Sequence, residues 1–462
     1  MEIFNKLDTP QLKKLHSGKV RESFRLDDNK RLIAVTDRIS SFDSVLDTSI
    51  PYKGAVLNSI SNYWFKETKH IIENHIIEQI DPNLTIVKEA EPIRIEMIVR
   101  GYITGSMWRK YEQGGREISG VKLPHGLSKN DKLPEPLLTP TTKEESDREI
   151  TRDEILSDGW AKKEHYERME NKALELFEFG SSLAEEKGLI LVDTKYEFGL
   201  VNDKLILIDE IHTPDSSRYW WKEDYYEDPA NASSLDKEYV RQWLLSHKYK
   251  KEIPKKLSQK VVEETVNRYL ELYQTLTGRK LKISDDCRIH DRMLFNLKNK
   301  GLMQDGYVAI IMGSEKDIEH CEKLSSFLDK YDVFTQLRVV SAHKNGERIK
   351  EIASEYNNSL EPGAVIAVAG RSNGLGGALA ANLNIPVINC PPFKNKIDMV
   401  TNINSSLMMP SNTPALTVVH PQNASIAALR SLNIPRLRKR TSCEIKELKQ
   451  ELLKADEKMK ER

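Results

Sequence analysis

From Tyr307 onward the chain alternates short apolar runs with stretches of helix length. The runs are "YVAIIMGS", "FTQLRVVSAH", "AVIAVAGRS" and "PVINCPP", with helical stretches at 317–330 and 347–356 and a small-residue helix between the last two. Buried strands separated by helices imply βαβ units and a parallel sheet covered on both faces, because parallel neighbours need a crossover that a helix supplies. This constrains the fold more than any other feature. In open α/β sheets, ligands bind outside the carboxyl ends of the strands. The loops "GSEKD", "SAHKNG" and "AGRSNGLGG" are therefore candidate walls of a site.

The amino half reads differently. "RESFRLDD" and "RLIAVTDRIS" flank a polar Asp-Asp-Asn turn and predict an antiparallel pair within an α+β domain. The polar, proline-bearing stretch 124–153 predicts a long loop over a surface or a site. Val262, Val266, Tyr269, Tyr273 and Leu276 recur at helical spacing, with Gly278 as the stop. A chain of 462 residues has room for two or three domains. The expected division is a first domain over 1–280, a linker over 281–305, a second domain over 306–436 and a terminal amphipathic helix over 437–462. In that helix Ile445, Leu448, Leu452, Ala455 and Met459 follow one another at spacings of three and four.

Lys+Arg and Asp+Glu both number 70, so no global basic field favours a nucleic-acid backbone or an anionic membrane. Any anionic ligand must be held by local groups. The start, "MEIFNKLDTPQLKK", lacks the apolar core of a signal peptide, and no apolar run approaches the roughly 18 residues that span a bilayer. A cytoplasmic protein is expected. Cys287, Cys321, Cys390 and Cys443 show no metal-binding spacing, so reduced structural thiols are the default.

"KYEFGLVNDKLILIDE" reads as a hairpin with Glu197 on one arm and Asp209 on the other. A two-residue Asn202-Asp203 turn places the two acids on opposite faces. A three-residue turn, which pairs Val201 with Leu205 and leaves one wholly apolar face, sets them directly opposite each other, and this register is expected. Facing carboxylates repel unless a cation sits between them. Magnesium suits two acids plus phosphate and water ligands; two solvated edge acids are the alternative. In "HSGKVRES", Lys19 and Arg21 alternate to one side and make a candidate clamp for a triphosphate, or an ordinary basic turn. In "VRGYITGS", Arg100 and Ser106 offer a guanidinium fork and a hydroxyl to a second phosphate. "HTPDSSR" adds Asp215 and Arg218, which a type I turn explains equally well.

Taken in order, "GKVRE", "TDRISSFD", "VRGYITGS", "LVDTKYEFG" and "DEIHTPDSSR" resemble the phosphoribosylaminoimidazole-succinocarboxamide synthase (SAICAR synthetase) family of purine biosynthesis, over roughly residues 10–280. The resemblance implies an α+β fold with a kinase-like ATP-binding sheet. It implies joining carboxyaminoimidazole ribonucleotide (CAIR) to L-aspartate with ATP and Mg2+. By motif, Lys19 and Arg21 would contact ATP phosphates, Glu197 and Asp209 would hold magnesium, and Lys195 would face the reacting phosphates. Arg100, Ser106 and Arg218 would grip the ribonucleotide, with Asp215 nearby, and Asp37 and Ser40 would line the site.

In the carboxyl half, His343 lies two residues past the expected strand, beside Ser341 and Lys344, where an imidazole can move a proton. Ser314 and Asp317 occupy the first strand-to-helix turn, where N–H groups favour a phosphate. Arg371, Ser372 and Asn373 stand at a third strand end. The glycines after them lack a lysine-threonine ending, so no Walker loop is read here. "IIMGSEKD", "VVSAHK", "VAVAGRSNGLGG" and "INCPP" resemble the phosphoribosylaminoimidazole carboxylase (AIR carboxylase) family over about residues 306–434, a flavodoxin-like three-layer fold. "SAHK" and "AGRSNGL" resemble its carbon-dioxide-using branch.

That resemblance implies carboxylation of aminoimidazole ribonucleotide (AIR) without a cofactor, with His343 as proton shuttle. Ser314, Ser341 and Lys344 would hold the phosphate and Asp317 the ribose. It also implies a homo-oligomer, tetramer or octamer, through the carboxyl domain. One departure is Lys316, where the family usually has a second serine. It leaves room for a carboxyl domain that is a non-catalytic scaffold; a carbamate mutase is a separate alternative. A small-molecule kinase is the corresponding rival for the amino half.

Overall fold

The computed structural model describes residues 2–42, 44–144, 147–247, 254–282 and 288–461. The chain divides into two compact units, Met1–Lys6 with Lys14–Met293 and Leu7–Lys13 with Leu294–Arg462. The division falls inside a helix, Ile289–Asn299, within the stretch read as a linker. Ile289, Met293 and Leu297 of that helix are buried at a spacing of four.

The first unit is built on two sheets. Strands β1 (Lys13–Ser17), β2 (Arg21–Asp27), β3 (Lys30–Val35), β4 (Ile76–Asp81) and β5 (Leu84–Lys88) form one, in the order β1-β2-β3-β5-β4. The expected hairpin is present: Phe24 pairs with Leu32 and Arg25 with Arg31. Between β3 and β4 runs helix α1 (Lys53–Glu67). The second sheet contains β6 (Glu91–Tyr102), β7 (Lys132–Leu138), β8 (Leu189–Val201) and β9 (Lys204–Ile208) in the order β7-β6-β8-β9, and β10 (Ser217–Trp221) also pairs with β8. Helix α2 (Gly105–Glu112) follows β6. Helix α3 (Lys163–Glu186) buries Tyr166, Met169, Ala173, Leu176 and Phe177 in the core shared with this sheet. Helices α4 (Glu238–Ser246) and α5 (Gln259–Thr277) complete the unit. Gly278 ends α5 in a left-handed conformation at φ 69°, as the sequence predicts.

Two expectations for this unit need correction. The stretch 124–153 is not one loop, for β7 and a short strand at Thr141–Thr142 both pair with β6. Pro134 and Pro136 disguise β7 because they remove ladder donors. The structure accommodates them at the sheet edge, with a register shift between Lys132 and Leu137. The β8–β9 hairpin turns in two residues rather than three: Val201 pairs with Lys204, and Glu197 with Ile208. Asn202 and Asp203 both adopt positive φ, 51° and 60°. That is the turn whose twist matches a hairpin, and asparagine and aspartate tolerate it better than most residues.

In the second unit β11 (Tyr307–Met312), β12 (Phe334–Val339), β13 (Gly363–Val368), β14 (Val387–Asn389) and β15 (Leu416–Thr417) form an all-parallel sheet in the order β12-β11-β13-β14-β15. Alternate side chains of β11 enter two cores. Val308, Ile310 and Met312 meet α6 (Ile318–Leu328) and α10 (Pro421–Ser431). Tyr307, Ala309 and Ile311 meet α7 (Arg348–Asn357) and α8 (Gly374–Asn382). This is why the strand sequence is apolar at every position rather than at alternate ones. Helix α9 (Lys396–Leu407) precedes β15, and α11 (Pro435–Lys460) ends the chain.

Cys321 and Cys390 are buried, and burial pushes both thiols up to about 12. They are inert packing groups, as expected, whereas Cys443 is exposed and Cys287 lies outside the described residues. Among the described residues no helix is long and apolar enough to cross a membrane.

Candidate functional site

Strand β8 supplies the spine of the first site. Its side chains alternate, so Asp193, Lys195 and Glu197 share one face of the sheet. The neighbouring strands add to that face in register: Arg100 lies opposite Asp193 and Glu96 opposite Glu197 on β6, and Arg218 lies opposite Asp193 on β10. An apolar sheet thus presents a row of alternating charges on one side. Asp193 pairs with Arg218 and lies 3.6 Å from Arg100, holding two guanidinium groups side by side. Lys195 sits 2.5 Å from Glu96 and 3.7 Å from Glu197. Burial works against its charge, but Glu96, Glu197 and Asp209 outweigh burial and raise its pKa.

Glu197 and Asp209 do influence each other, although the register differs from the expected one. Strand β9 ends at Ile208, and Asp209 turns left-handed at φ 64°, so it leaves the alternation that would carry its side chain to the far face. Burial, and then the Asp209 charge, push Glu197 up to about 7. Burial acts on Asp209 in the same sense, but Arg21, Lys143 and Lys195 overcome it and hold Asp209 below the usual carboxylate range. The chain's own cations therefore stand beside both acids. Arg21 bonds Asp209 at 2.6 Å and also pairs with Glu210, while Lys143 pairs with Glu197. Among the described residues no group of three or more His, Cys, Asp or Glu side chains is arranged to hold a metal ion.

An open cleft lies over this face. Lys19, Ser40, Arg100, Ser106, Lys195, Asp215 and Arg218 all line it. Ser106 belongs to the first turn of α2, whose N–H groups point toward an incoming anion. Beside it Gly105, at φ 57°, gives the Arg218 guanidinium its place: a Cβ there would lie 2.6 Å from Nη2. Arg100, Arg218 and the start of α2 thus lie together on the cleft wall.

Other residues named from the sequence lie elsewhere. Arg21 and Asp209 line a separate, small cavity together with Glu210. Lys19 is in the turn before β2 rather than on the strand, so the expected alternation with Arg21 does not apply. Asp37 does not face the cleft. It is buried with both carboxylate oxygens committed, accepting the N–H of Phe4 and of Gly54, each at 2.9 Å. It fastens the amino-terminal segment to the start of α1.

Groups that the sequence did not single out surround Asp215 and the cleft wall. Lys53 is fully buried and bonds Asp215 at 2.8 Å; Tyr269 donates to the same carboxylate at 3.1 Å. Burial would raise Asp215, but Lys237 and Lys53 hold it low. Burial depresses Lys237 to about 8, and its ammonium reaches Ser40 Oγ at 3.4 Å. Arg241, one turn further along α4, and Arg109 on α2 line the cleft as well. The period-2 charges of "DTKYE" were the available signal for Asp193. Nothing local marks Lys53 or Lys237.

In the second unit the three loops lie past the ends of β11, β12 and β13. His343 is exposed and four residues beyond Val339, not two beyond the strand, and its ring lies against Gly374 where a Cβ would be 2.9 Å away. Asn345 accepts the Ser341 N–H at 2.8 Å and closes the His343 loop. Ser314 Oγ accepts the Lys316 N–H at 3.4 Å, and burial raises the Asp317 carboxyl. Lys316, Lys344, Arg371 and Ser372 are exposed. Asn373 is buried, accepting from Gly376 N–H at 3.1 Å and donating to Ser406 Oγ at 2.9 Å. It caps α8 rather than presenting its amide to a ligand.

Comparison with known proteins divides the chain in the same way. The SAICAR synthetase family matches residues 14–256 and the AIR carboxylase family residues 307–461. A phosphoribosylaminoimidazole-succinocarboxamide synthase of Bacteroides thetaiotaomicron is 43% identical over 300 residues, covering 63% of this chain and 95% of that protein. One from Legionella pneumophila is 43% identical over 300 residues, 62% of this chain and 95% of its own. The solved SAICAR synthase of Saccharomyces cerevisiae in complex with SAICAR is 33% identical. It covers 61% of this chain and 100% of its own, with a TM-score of 0.54.

Proposed function

Since the chain belongs to the SAICAR synthetase family and carries an AIR carboxylase domain behind it, we propose that one polypeptide converts AIR and carbon dioxide to CAIR and then ligates CAIR to L-aspartate with ATP. It is a bifunctional enzyme of purine biosynthesis, a ligase domain followed by a carboxy-lyase domain. The observation that carries the finer reading is the single cleft. Seven residues from five separate motifs, spread from Lys19 to Arg218, meet on its walls.

A carboxylate acylates amines poorly. The γ-phosphoryl group of ATP moves to a carboxylate oxygen of CAIR, giving ADP and an acyl phosphate. The aspartate amine attacks the acyl carbon, and inorganic phosphate and a proton leave. Positioning and charge neutralisation carry most of such a transfer. The cradle of Arg100, Ser106 and Arg218 holds the ribonucleotide phosphate, with Asp193 fixing both guanidinium groups. Lys195 meets the reacting phosphates; Lys19 and Arg21 meet the nucleotide phosphates, in a kinase-like sheet. Lys237 and Arg241 offer charge to the carboxylates of aspartate.

A magnesium ion fits beside Glu197 and Asp209. Glu96, Glu197, Asp209 and Glu210 are four acids against the three cations Arg21, Lys143 and Lys195, and burial together with the Asp209 charge pushes Glu197 up to about 7. Bound with nucleotide, magnesium would neutralise charge on the phosphates.

In the three-layer carboxyl domain a carbon–carbon bond forms between carbon dioxide and the imidazole ring of AIR, and His343 takes the proton that the ring carbon loses. Ser314, Ser341 and Lys344 hold the phosphate and Asp317 the ribose, with Arg371 and Ser372 framing the mouth. A cytoplasmic homo-oligomer fits this role. The test is a coupled assay. AIR, bicarbonate, aspartate and magnesium-ATP give SAICAR, and CAIR appears without ATP. Product from supplied CAIR but none from AIR would leave the carboxyl domain a scaffold. A requirement for ATP before any CAIR forms would make it a carbamate mutase.

A further inference from the structure

Lys53 is the first residue of α1 and is fully buried. A helix start disfavours a cation, because its N–H groups carry partial positive charge, and burial adds the cost of desolvation. The surrounding contacts nevertheless fix it there. Gly54, the next residue, lies so close to the end of β3 that a Cβ would be 2.2 Å from the Val35 carbonyl oxygen. Asp37 accepts the Gly54 N–H on its carboxylate and the Ile50 N–H on its main-chain oxygen, each at 2.9 Å. The Lys53 ammonium is thereby brought to Asp215, at 2.8 Å.

Asp215 thus stands between two ammonium groups of different kinds. Lys53 is sealed inside the unit, whereas Lys237 lines the cleft, 3.6 Å from the same carboxylate oxygen. That separation is longer than a hydrogen bond. Tyr269 donates to the other oxygen at 3.1 Å. The short contacts of Asp215 therefore go to buried groups, and the Lys237 ammonium is left for an anion in the cleft. We propose that Lys53 is a positioning residue for ligation: it engages Asp215 from behind, so that Lys237 stays turned toward the carboxylates of the amino-acid substrate. Asp37 acts through it, by setting the first turn of α1. This rests on the ligation proposed above. Without Lys53, the buried carboxylate keeps a close counter-charge only by drawing Lys237 inward.

The charged groups that face Lys237 are Asp215, Lys53, Arg241 and Glu210. Burial is the main cause of its depressed pKa of about 8; Lys53 and Arg241 add to it, while Asp215 and Glu210 oppose it. Lys53→Met removes one depressing charge and tightens the Asp215 contact, so the Lys237 pKa should rise by about one unit or more. Trace acetylation of the full-length protein across a pH series, with the Lys237 peptide followed by mass spectrometry, reads that midpoint without any substrate. In ligation of supplied CAIR, KM for L-aspartate should rise about 10-fold while KM for ATP stays within about 2-fold. A merely loosened fold would raise both. Tyr269→Phe removes only one hydroxyl; it should move the midpoint and the aspartate KM in the same directions by less, and it carries the test if Lys53→Met does not fold. An unmoved midpoint, an unmoved aspartate KM or an equal rise in both KM values would overturn the proposal. A parent chain inactive on CAIR would remove the ligation reading and the proposal with it, whereas an active parent with an unmoved midpoint removes the proposal alone.

Discussion

Glu197 is buried beside Glu96 and Asp209, and its neutrality depends on proton or cation supply. Its pKa, about 7 in the folded chain against an ordinary 4.5, is raised. The folded state therefore holds a proton there that the unfolded state releases. The resulting stability is full at low pH and disappears as pH rises through about 7. Glu197→Gln should accordingly gain in thermal midpoint relative to the parent as pH is raised from about 5 to about 8. A melting series of the two proteins would show the difference. The same substitution removes a proposed metal ligand, so ligation of supplied CAIR should fall by at least about 100-fold, while carbon-dioxide-dependent CAIR formation is unchanged. A variant with full ligation rate would remove Glu197 from the site. At this scale the sequence was informative about residue type and poor about partners. It pointed to a counter-ion for Glu197, but that Lys143 already stands there depends on a segment more than fifty residues away in the chain.

Elements were legible where their periodicity was strong. The carboxyl strands are apolar at each position because both faces are covered, and α5 shows its buried stripe and its glycine stop. They were illegible where one residue changes the geometry. Proline hid β7, and left-handed φ at Asn202, Asp203 and Asp209 changed a register and then rescued the meeting of two acids. Close packing between elements is equally invisible locally. Gly376 of α8 faces β14 so closely that a Cβ would lie 1.8 Å from Asn389 Oδ1, a buried group in the strand behind it. Gly376→Ala should therefore force α8 off the sheet and destabilise the carboxyl unit by about 1–3 kcal/mol. Denaturant unfolding would read this, with carboxylation lowered and ligation of supplied CAIR retained.

For the whole molecule the two activities sit in separate units, each with its own core. His343→Asn should abolish CAIR formation from AIR and spare ligation, and Glu197→Ala should do the reverse. A mixture of the two inactive chains should then make SAICAR from AIR after a lag, as CAIR passes through solution. No product from the mixture would mean that the intermediate cannot leave one chain for another. Motif order and strand–helix alternation, which depend on neighbours within a few residues, determined the family, the two domains and the chemistry expected of each. The tertiary structure alone decided which side chains share the cleft, for Asp193, Asp215 and Lys237 line it and the buried Lys53 bonds Asp215, all brought together by pairing and packing between distant segments. Periodicity reports how a segment buries its own face, and it carries no information about which remote charge will be buried against it.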